Sequence, residues 1–100
     1  MNVSLLKEAQ FELDETIDFY NNQLKGLGDD FLNEFLSTVE RICNYPDAWH
    51  LLSKNTKRCQ TRRFPFGIIY SIQGDMILIL SVSHLHRKPN HWKNRLDRIK

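Results

Sequence analysis

Ile68-Ile69-Tyr70-Ser71-Ile72-Gln73-Gly74-Asp75-Met76-Ile77-Leu78-Ile79-Leu80-Ser81-Val82 is the stretch on which the fold turns. Two runs of β-branched and large apolar residues flank Gln73-Gly74-Asp75, a hairpin signal with glycine where the chain must reverse. From Met76 to Val82 the run is apolar almost without a break. That pattern belongs to a central strand covered on both faces over part of its length. The segment predicts an antiparallel pair in the middle of a sheet.

Working back toward the N-terminus, Val3 to Leu6 is too short for a helix and reads as a brief opening strand. Ala9, Leu13, Ile17, Tyr20 and Leu24 then recur at helical spacing, with Glu8, Glu12, Glu15 and Asp18 facing away. This predicts a helix from Lys7 to Leu24, ended by Gly26-Leu27-Gly28, with Asp29 as N-cap of the next. Phe31, Leu32, Phe35, Leu36, Val39 and Ile42 form a second apolar stripe, giving a helix from Asp29 to Cys43 closed by Asn44-Tyr45-Pro46. The short connection favours an antiparallel helical hairpin. A loop through Trp49, read as a loop anchor, and His50 leads to a strand from Lys57 to Phe64, then Pro65-Phe66-Gly67. Tyr70 reads as a structural residue of its strand. Beyond the central strand, Trp92, Leu96 and Ile99 share a helical face. They predict a short terminal helix started by Pro89 or Asn90, with Lys93, Arg95 and Arg98 exposed. The expected class is α+β: one domain over 1–100, a helical hairpin on a mostly antiparallel sheet.

Charge is distributed unevenly. Residues 1–50 hold three Lys/Arg against ten Asp/Glu, and residues 51–100 hold eleven against two, a formal −7 and +9 beneath the net +2. The basic half suits a polyanion or an acidic protein partner. At 41% hydrophobic and 26% charged the composition is that of a soluble globular domain rather than a disordered tail. Cys43 and Cys59 form no Cys-x-x-Cys pair and are expected as reduced, mostly buried thiols. Lys7-Glu8 arrives before any useful apolar run develops, so no signal peptide is expected. No run approaches the roughly 20 apolar residues of a membrane span, and the expected location is the cytoplasm.

The segment His84-Leu85-His86-Arg87-Lys88-Pro89-Asn90-His91-Trp92-Lys93-Asn94-Arg95 holds three of the four histidines and a cluster of cations. Read as a metal site, His84, His86 and His91 lack a nearby acid or thiol, and cationic surroundings oppose a dication. No metal or cofactor is expected. Read as a nuclease, His84 or His86 would move a proton while Arg63, Arg87 and Arg95 held phosphate. The plainer alternative is that His84 ends a strand and the other two lie at the surface. Arg62 and Arg63 fall side by side on a strand, which places one outward and the other toward the core layer or an edge. Trp92 could stack a base, although anchoring the tail is the stronger reading.

Taken in order, these features resemble the RelE/ParE superfamily of toxins from bacterial type II toxin–antitoxin modules, over nearly the whole chain. The marks are Ala9 through Leu13 to Tyr20, Gly26-Leu27-Gly28 with Phe31-Leu32, and Pro46. They continue with Arg62-Arg63-Phe64-Pro65-Phe66-Gly67-Ile68-Ile69-Tyr70 and Val82-Ser83-His84 through Arg87, Pro89 and Trp92. The resemblance implies a cytoplasmic toxin bound by a cognate antitoxin, possible toxin–antitoxin hetero-oligomers, no cofactor and no membrane partner. Two branches differ in target: RelE-like members cut messenger RNA on the ribosome, and ParE-like members inhibit DNA gyrase without being nucleases. Gly67 stands where the nuclease branch has an arginine, and only His91 or Trp92 falls near its C-terminal tyrosine. The ending Ile79 to His84 is closer to ParE. The resemblance thus implies a ParE-like gyrase inhibitor, with a RelE-like nuclease as alternative and a non-toxic antitoxin-binding relic as a third reading. Target or antitoxin contacts are expected at Arg58, Arg62, Arg63, Arg87, Lys88, Trp92 and Arg95. Under the nuclease alternative, His84, His86, Arg87 and Arg63 are the catalytic set.

Overall fold

The structure, a computed structural model, describes residues 1–88 and 90–97. Its elements run β1 (Asn2–Leu5), α1 (Lys7–Gln23), α2 (Leu27–Asn44), β2 (His50–Ser53), β3 (Thr56–Gln60), β4 (Phe66–Gln73), β5 (Met76–His84) and α3 (Lys93–Asp97). The sheet order is β1-β5-β4-β3-β2. Only the β1–β5 pair is parallel; the other three are antiparallel. The class is α+β with a mostly antiparallel sheet, as the periodicities predict.

The central hairpin forms as expected. β4 and β5 pair from Gln73↔Met76 to Phe66↔His84, with one irregularity beside Ile69/Tyr70. Residues Ile77 to Ser83 are all buried, because β5 is covered from both sides. The helical hairpin covers one face, where Ala9, Leu13, Phe31, Phe35 and Ile42 meet Ile68, Tyr70, Ile77, Ile79 and Val82. The C-terminal segment covers the other, where Trp92 and Leu96 meet Ile69, Leu78 and Leu80. The molecule is therefore three layers deep at β5 and two elsewhere.

Four details depart from the expectation. Residues 50–53 are a strand, not loop, because His50 and Leu51 pair with Arg58 and Lys57 along the edge of β3. β3 stops at Gln60, so Arg62 and Arg63 lie in a bend rather than on a strand, and both are exposed. The second helix starts at Leu27, with Gly26 in a left-handed conformation (φ 90°) at its N-cap. Asp29 is therefore inside the first turn and caps nothing. The cap comes from the neighbouring helix: Gly28 N–H donates to Asn21 Oδ1 at 2.7 Å. The terminal helix begins at Lys93, after a turn in which Asn90 has φ 71°. The roles expected for Pro89, Arg98 and Ile99 lie outside the described residues.

Trp49 anchors its loop as expected, and Tyr70, expected as a structural strand residue, also ties down the loop at Pro46. The Trp49 ring lies under the Arg41 guanidinium at 5.6 Å, and its Nε1–H donates to the Arg41 carbonyl. The buried Tyr70 hydroxyl donates to the Pro46 carbonyl at 2.5 Å, and burial raises its pKa well above the ordinary range. Cys59 is buried, Cys43 is half-buried, and both are free thiols. Burial pushes the Cys59 thiol up, against the opposing pull of Arg41 and Arg62.

Gly28 is where the two helices touch most closely. A Cβ there would collide with the Ile17 carbonyl oxygen and lie 2.6 Å from Asn21 Cγ. Backbone cannot give way as a side chain can, so Gly28→Ala must spread the hairpin. Overpacking of this kind costs about 1–3 kcal/mol. A drop in Tm of roughly 5–20 °C is expected in a thermal melt, at about 4–8 °C per kcal/mol for a domain of this size. A Tm equal to the wild type would show that the helices do not meet at Gly28.

Candidate functional site

The feature that positions the C-terminal basic segment is one that periodicity placed on the wrong side of α1. Glu12 does not face solvent. Its side chain is 10% exposed and sits where β1 has ended, beside the outer edge of β5. There, two backbone groups of β5 have no neighbouring strand. The Val82 amide donates to Glu12 Oε1 at 3.0 Å, and the Leu80 carbonyl accepts from Arg95 Nη1 at 2.9 Å. Arg95 and Glu12 are joined by two further bonds of 2.9 Å, Nη1 to Oε1 and Nη2 to Oε2. Arg87 Nη1 also donates to Oε2, and Ser81 Oγ lies 3.1 Å from Oε1. A carboxylate–guanidinium pair thus takes the place of a strand along this part of the edge, in the forked geometry that gives such pairs their strength.

The electrostatics follow from that geometry. Burial raises the Glu12 pKa, but Arg95, the Val82 amide and Arg87 together outweigh it and hold the carboxyl below its ordinary value. His91 lies in the same network. Its Nδ1 is 3.0 Å from the Lys88 carbonyl, which can only accept, so Nδ1 carries a proton. In the neutral ring Nε2 is then the acceptor for Ser81 Oγ at 2.9 Å. Burial lowers the His91 pKa, and Arg87 and Arg95 add to that against the Lys88 bond and Glu12.

The expected site residues separate into groups. His84 and His86 are exposed at the end of β5 with ring centroids 5.2 Å apart. His84 Nδ1 accepts from the His86 amide at 3.1 Å, and the His84 ring meets Phe66 edge-on at 5.4 Å. Arg87 and the exposed Lys88 follow directly. His84, Arg87, Phe66 and Phe19 help line a cavity of about 390 Å³ against α1. The three histidines do not converge on a metal, since His91 is turned to Ser81 and Lys88.

The remaining residues go elsewhere. Arg63 is held at α2, where its amide donates to Glu34 Oε1 at 2.8 Å and its guanidinium lies 3.8 Å from Asp30 and over Phe64. It is not brought to His84. Arg95 was expected at the surface, yet its side chain is 12% exposed because it is drawn into Glu12. Trp92 is 4% exposed and packs on Leu80 and Ile69, leaving no free ring face for a base. Arg58 lies on the same face of the sheet, opposite Ile69, with its stem across Gly67. Among the described residues, sequence reasoning missed Glu12 and Asn21. The one local hint was weak: Glu12 and Thr16 border the stripe Ala9, Leu13, Ile17 and Tyr20 rather than lying opposite it.

No family model matches the sequence, and no curated protein matches it either. Among solved structures, a chain of the chromosomal ParDE TA (toxin–antitoxin) system from P. aeruginosa superposes with a TM-score of 0.73 at 17% sequence identity. The match covers 84% of this chain and 95% of that one. The chain has a RelE/ParE-like fold. In this RelE/ParE-like arrangement the helical hairpin, the sheet and the C-terminal cover all find their place, and no helix among the described residues is long and apolar enough to cross a membrane.

The Glu12 network predicts unequal effects of its partners. Glu12→Gln leaves the nearly buried Arg95 without a counter-charge and should cost about 3 kcal/mol in urea unfolding. Arg87, with 43% of its side chain exposed, is one cation of two, and Arg87→Ala should cost about 1 kcal/mol or less. Equal losses would refute the hierarchy. The pH dependence has a definite sign. His91 binds a proton less readily folded than unfolded, so its contribution is present above its ordinary 6.5 and is lost as pH falls through its lowered value. The Glu12 contribution is present above 4.5 and is lost as pH falls through its own lowered value. Unfolding free energy should therefore decline in two stages on acidification, and His91→Asn should remove the upper one. A pH-independent stability through the imidazole range would contradict this.

Proposed function

We propose that the chain is the toxin of a type II toxin–antitoxin module, a ParE-like growth inhibitor that acts on DNA gyrase in the cytoplasm and is neutralised by a cognate antitoxin. The observation that carries this reading is the likeness to a chain of a solved ParDE system over 95% of that chain's length. The departure of Arg63 from the candidate catalytic set, and of Arg95 from the cations that would hold phosphate, favours the gyrase branch over the nuclease branch. A nuclease centre needs an acid, a base and cations within reach of one phosphate. Here Arg63, though exposed, lies against α2 and Arg95 is drawn into Glu12, which leaves His84, His86, Arg87 and Lys88 as the exposed group at the end of β5. A basic surface at the end of β5 suits contact with a target or with an acidic partner. The alternative, a ribosome-dependent mRNA endonuclease, draws on the paired His84 and His86 rings beside Arg87.

Purified protein should inhibit gyrase supercoiling and produce no codon-positioned cuts in translated mRNA. Arg87→Ala and Lys88→Ala should weaken inhibition severalfold each, in graded fashion, while folded His84→Gln and His86→Gln variants keep most of it. General acid–base chemistry supplies about 10²–10⁴ in rate, so a nuclease would lose activity steeply with its histidine. Cuts that vanish in a histidine variant, with gyrase unaffected, would promote the endonuclease. A chain that binds its antitoxin but inhibits neither target would be the relic.

The antitoxin segment is expected to be acidic and to fold on binding, because the cations after residue 50 face no equal number of acids there. Its association rate should fall markedly as salt rises, since charges are screened beyond about 8 Å at physiological ionic strength. Salt-insensitive association would place the docking surface away from the basic segment.

A further inference from the structure

We infer that the Ser81 hydroxyl is a two-way switch between His91 and Glu12, through which protonation of His91 releases Arg87 from Glu12 to the surface at the end of β5. The switch is a property of the chain alone and is independent of the toxin reading. It arises from a shortage of protons. Ser81 Oγ lies 2.9 Å from His91 Nε2, 3.1 Å from Glu12 Oε1 and 3.2 Å from Ser83 Oγ, and it has one proton to give. While the His91 ring is neutral, Nδ1 donates to the Lys88 carbonyl and Nε2 accepts. The Ser81 proton then goes to Nε2, and Glu12 Oε1 faces the hydroxyl oxygen with no proton between them. A second proton on the ring reverses the row. Nε2–H donates to Ser81 Oγ, and Ser81 becomes free to donate to Glu12 Oε1. Each member is then satisfied from the Lys88 carbonyl to the carboxylate, with an ionised group at both ends of the Ser81 link. The hydrogen-bond geometry accommodates imidazolium as well as imidazole.

Charge determines which contact gives way. Glu12 of α1, Arg95 of α3 and Arg87 of the turn after β5 act on His91 directly. Arg58 of β3, His84 at the end of β5 and Lys88 line the same pocket as His91. Burial and the two guanidiniums oppose a proton on the ring, whereas Glu12 favours it. Glu12 carries one negative charge and is already bonded to both guanidiniums. A third cation, joined to it through Ser81, leaves more positive charge than one carboxylate can offset. The cation least costly to lose then departs. Arg95 is not that cation: it is 12% exposed, makes the forked contact and also bonds the Leu80 carbonyl. Arg87 has 43% of its side chain exposed and meets the carboxylate through Nη1, so water readily takes over its solvation. The exposed Glu15 carboxylate lines a cavity with Arg87 and offers only a screened partner. The coupling is reciprocal. A partner carboxylate that draws Arg87 away removes a like charge from His91 and favours its protonation, and acidification favours that same contact.

The test is an NMR pH titration of the ¹⁵N-labelled full chain that follows the His91 ring nitrogens and the Nε–H signals of Arg87 and Arg95. The Arg87 signal should shift and lose protection from water exchange along the His91 curve. The Arg95 signal should hold its position until Glu12 itself takes a proton. His91 should titrate at higher pH in Arg87→Ala than in the wild type, because a repelling cation is gone. Ser81→Ala keeps every charge but cuts the row, so Arg87 should no longer follow His91. The neighbouring imidazoles are separated by variants: His84→Gln and His86→Gln should leave the Arg87 response in place, and His91→Asn should remove it. Retained dispersion of the core amides across the titration distinguishes release of Arg87 from unfolding. The Arg87→Ala shift and the Ser81→Ala loss are separate readings, so a failure of either variant to fold leaves the other to decide. An Arg87 signal indifferent to His91, one that follows it equally well in Ser81→Ala, or a His91 curve unmoved in Arg87→Ala would overturn the switch. None of these results touches the toxin reading, which gyrase inhibition tests.

Discussion

The Glu12 carboxylate is the point at which the three layers of this protein are tied together. It projects from the first helix, meets the edge of β5 where β1 gives out, and takes a forked contact from Arg95 in the last helix. Without such an arrangement the Leu80 carbonyl and the Val82 amide would be unpaired beside a buried core, at a cost of about 1–3 kcal/mol for each group. A third strand residue cannot reach them, because the chain leaves β1 at Leu5 to enter α1. An ion pair in this position is not simply stabilising, since both charges are drawn out of water. What it supplies is a register: the observed placement of α3 satisfies Glu12 and the Leu80 carbonyl and buries Trp92 together.

That constraint explains why some parts of the fold could be read from sequence and others could not. The helix stripes, the β4–β5 hairpin and the two-sided burial of β5 are local patterns, set by residues two to four positions apart. Trp92 was also legible, because an aromatic followed by Leu96 at helical spacing has few destinations but a core. Glu12 was not. Its partners Ser81, Val82, Arg87 and Arg95 are 69 to 83 residues away, and a lone carboxylate on an amphipathic helix reads as solvent-facing unless they are known. Asn21 is a milder case: its cap is given to another helix, so no local capping pattern reveals it. The strand at residues 50–53 escaped for a different reason. An edge strand with His50 and Leu51 exposed shows no apolar alternation.

The candidate site divides along the same line. His84, His86, Arg87 and Lys88 remain together because they are contiguous, and contiguity survives any fold. Arg63 and Arg95 were grouped with them by residue type alone, and tertiary contacts sent them to Asp30 and to Glu12. Gly67 is the instructive position. The resemblance marks it as a departure, a glycine where an arginine stands in the nuclease branch. In space the departure has a physical consequence, since the missing side chain is the room in which Arg58 lies. A guanidinium from the neighbouring strand therefore covers the face of β4 that a side chain at position 67 would have covered.

The charge asymmetry must be re-read in this light. The formal +9 of residues 51–100 overstates the field that a partner meets, because part of it is neutralised within the molecule by the acidic half. Arg95 is committed to Glu12, Arg87 shares the same carboxylate, and Arg63 lies near Asp30. Arg95 is barely exposed, whereas Arg63 retains 65% of its side-chain exposure. Steering depends on charge that is both exposed and uncompensated, so Lys88 counts in full, Arg87 and Arg63 count in part, and Arg95 contributes little. The −7 of the first half is diminished in the same way, at Glu12 above all. The two halves are thus complementary first to each other across the β5 edge, and what remains outside, at the end of β5, is the surface left for a partner.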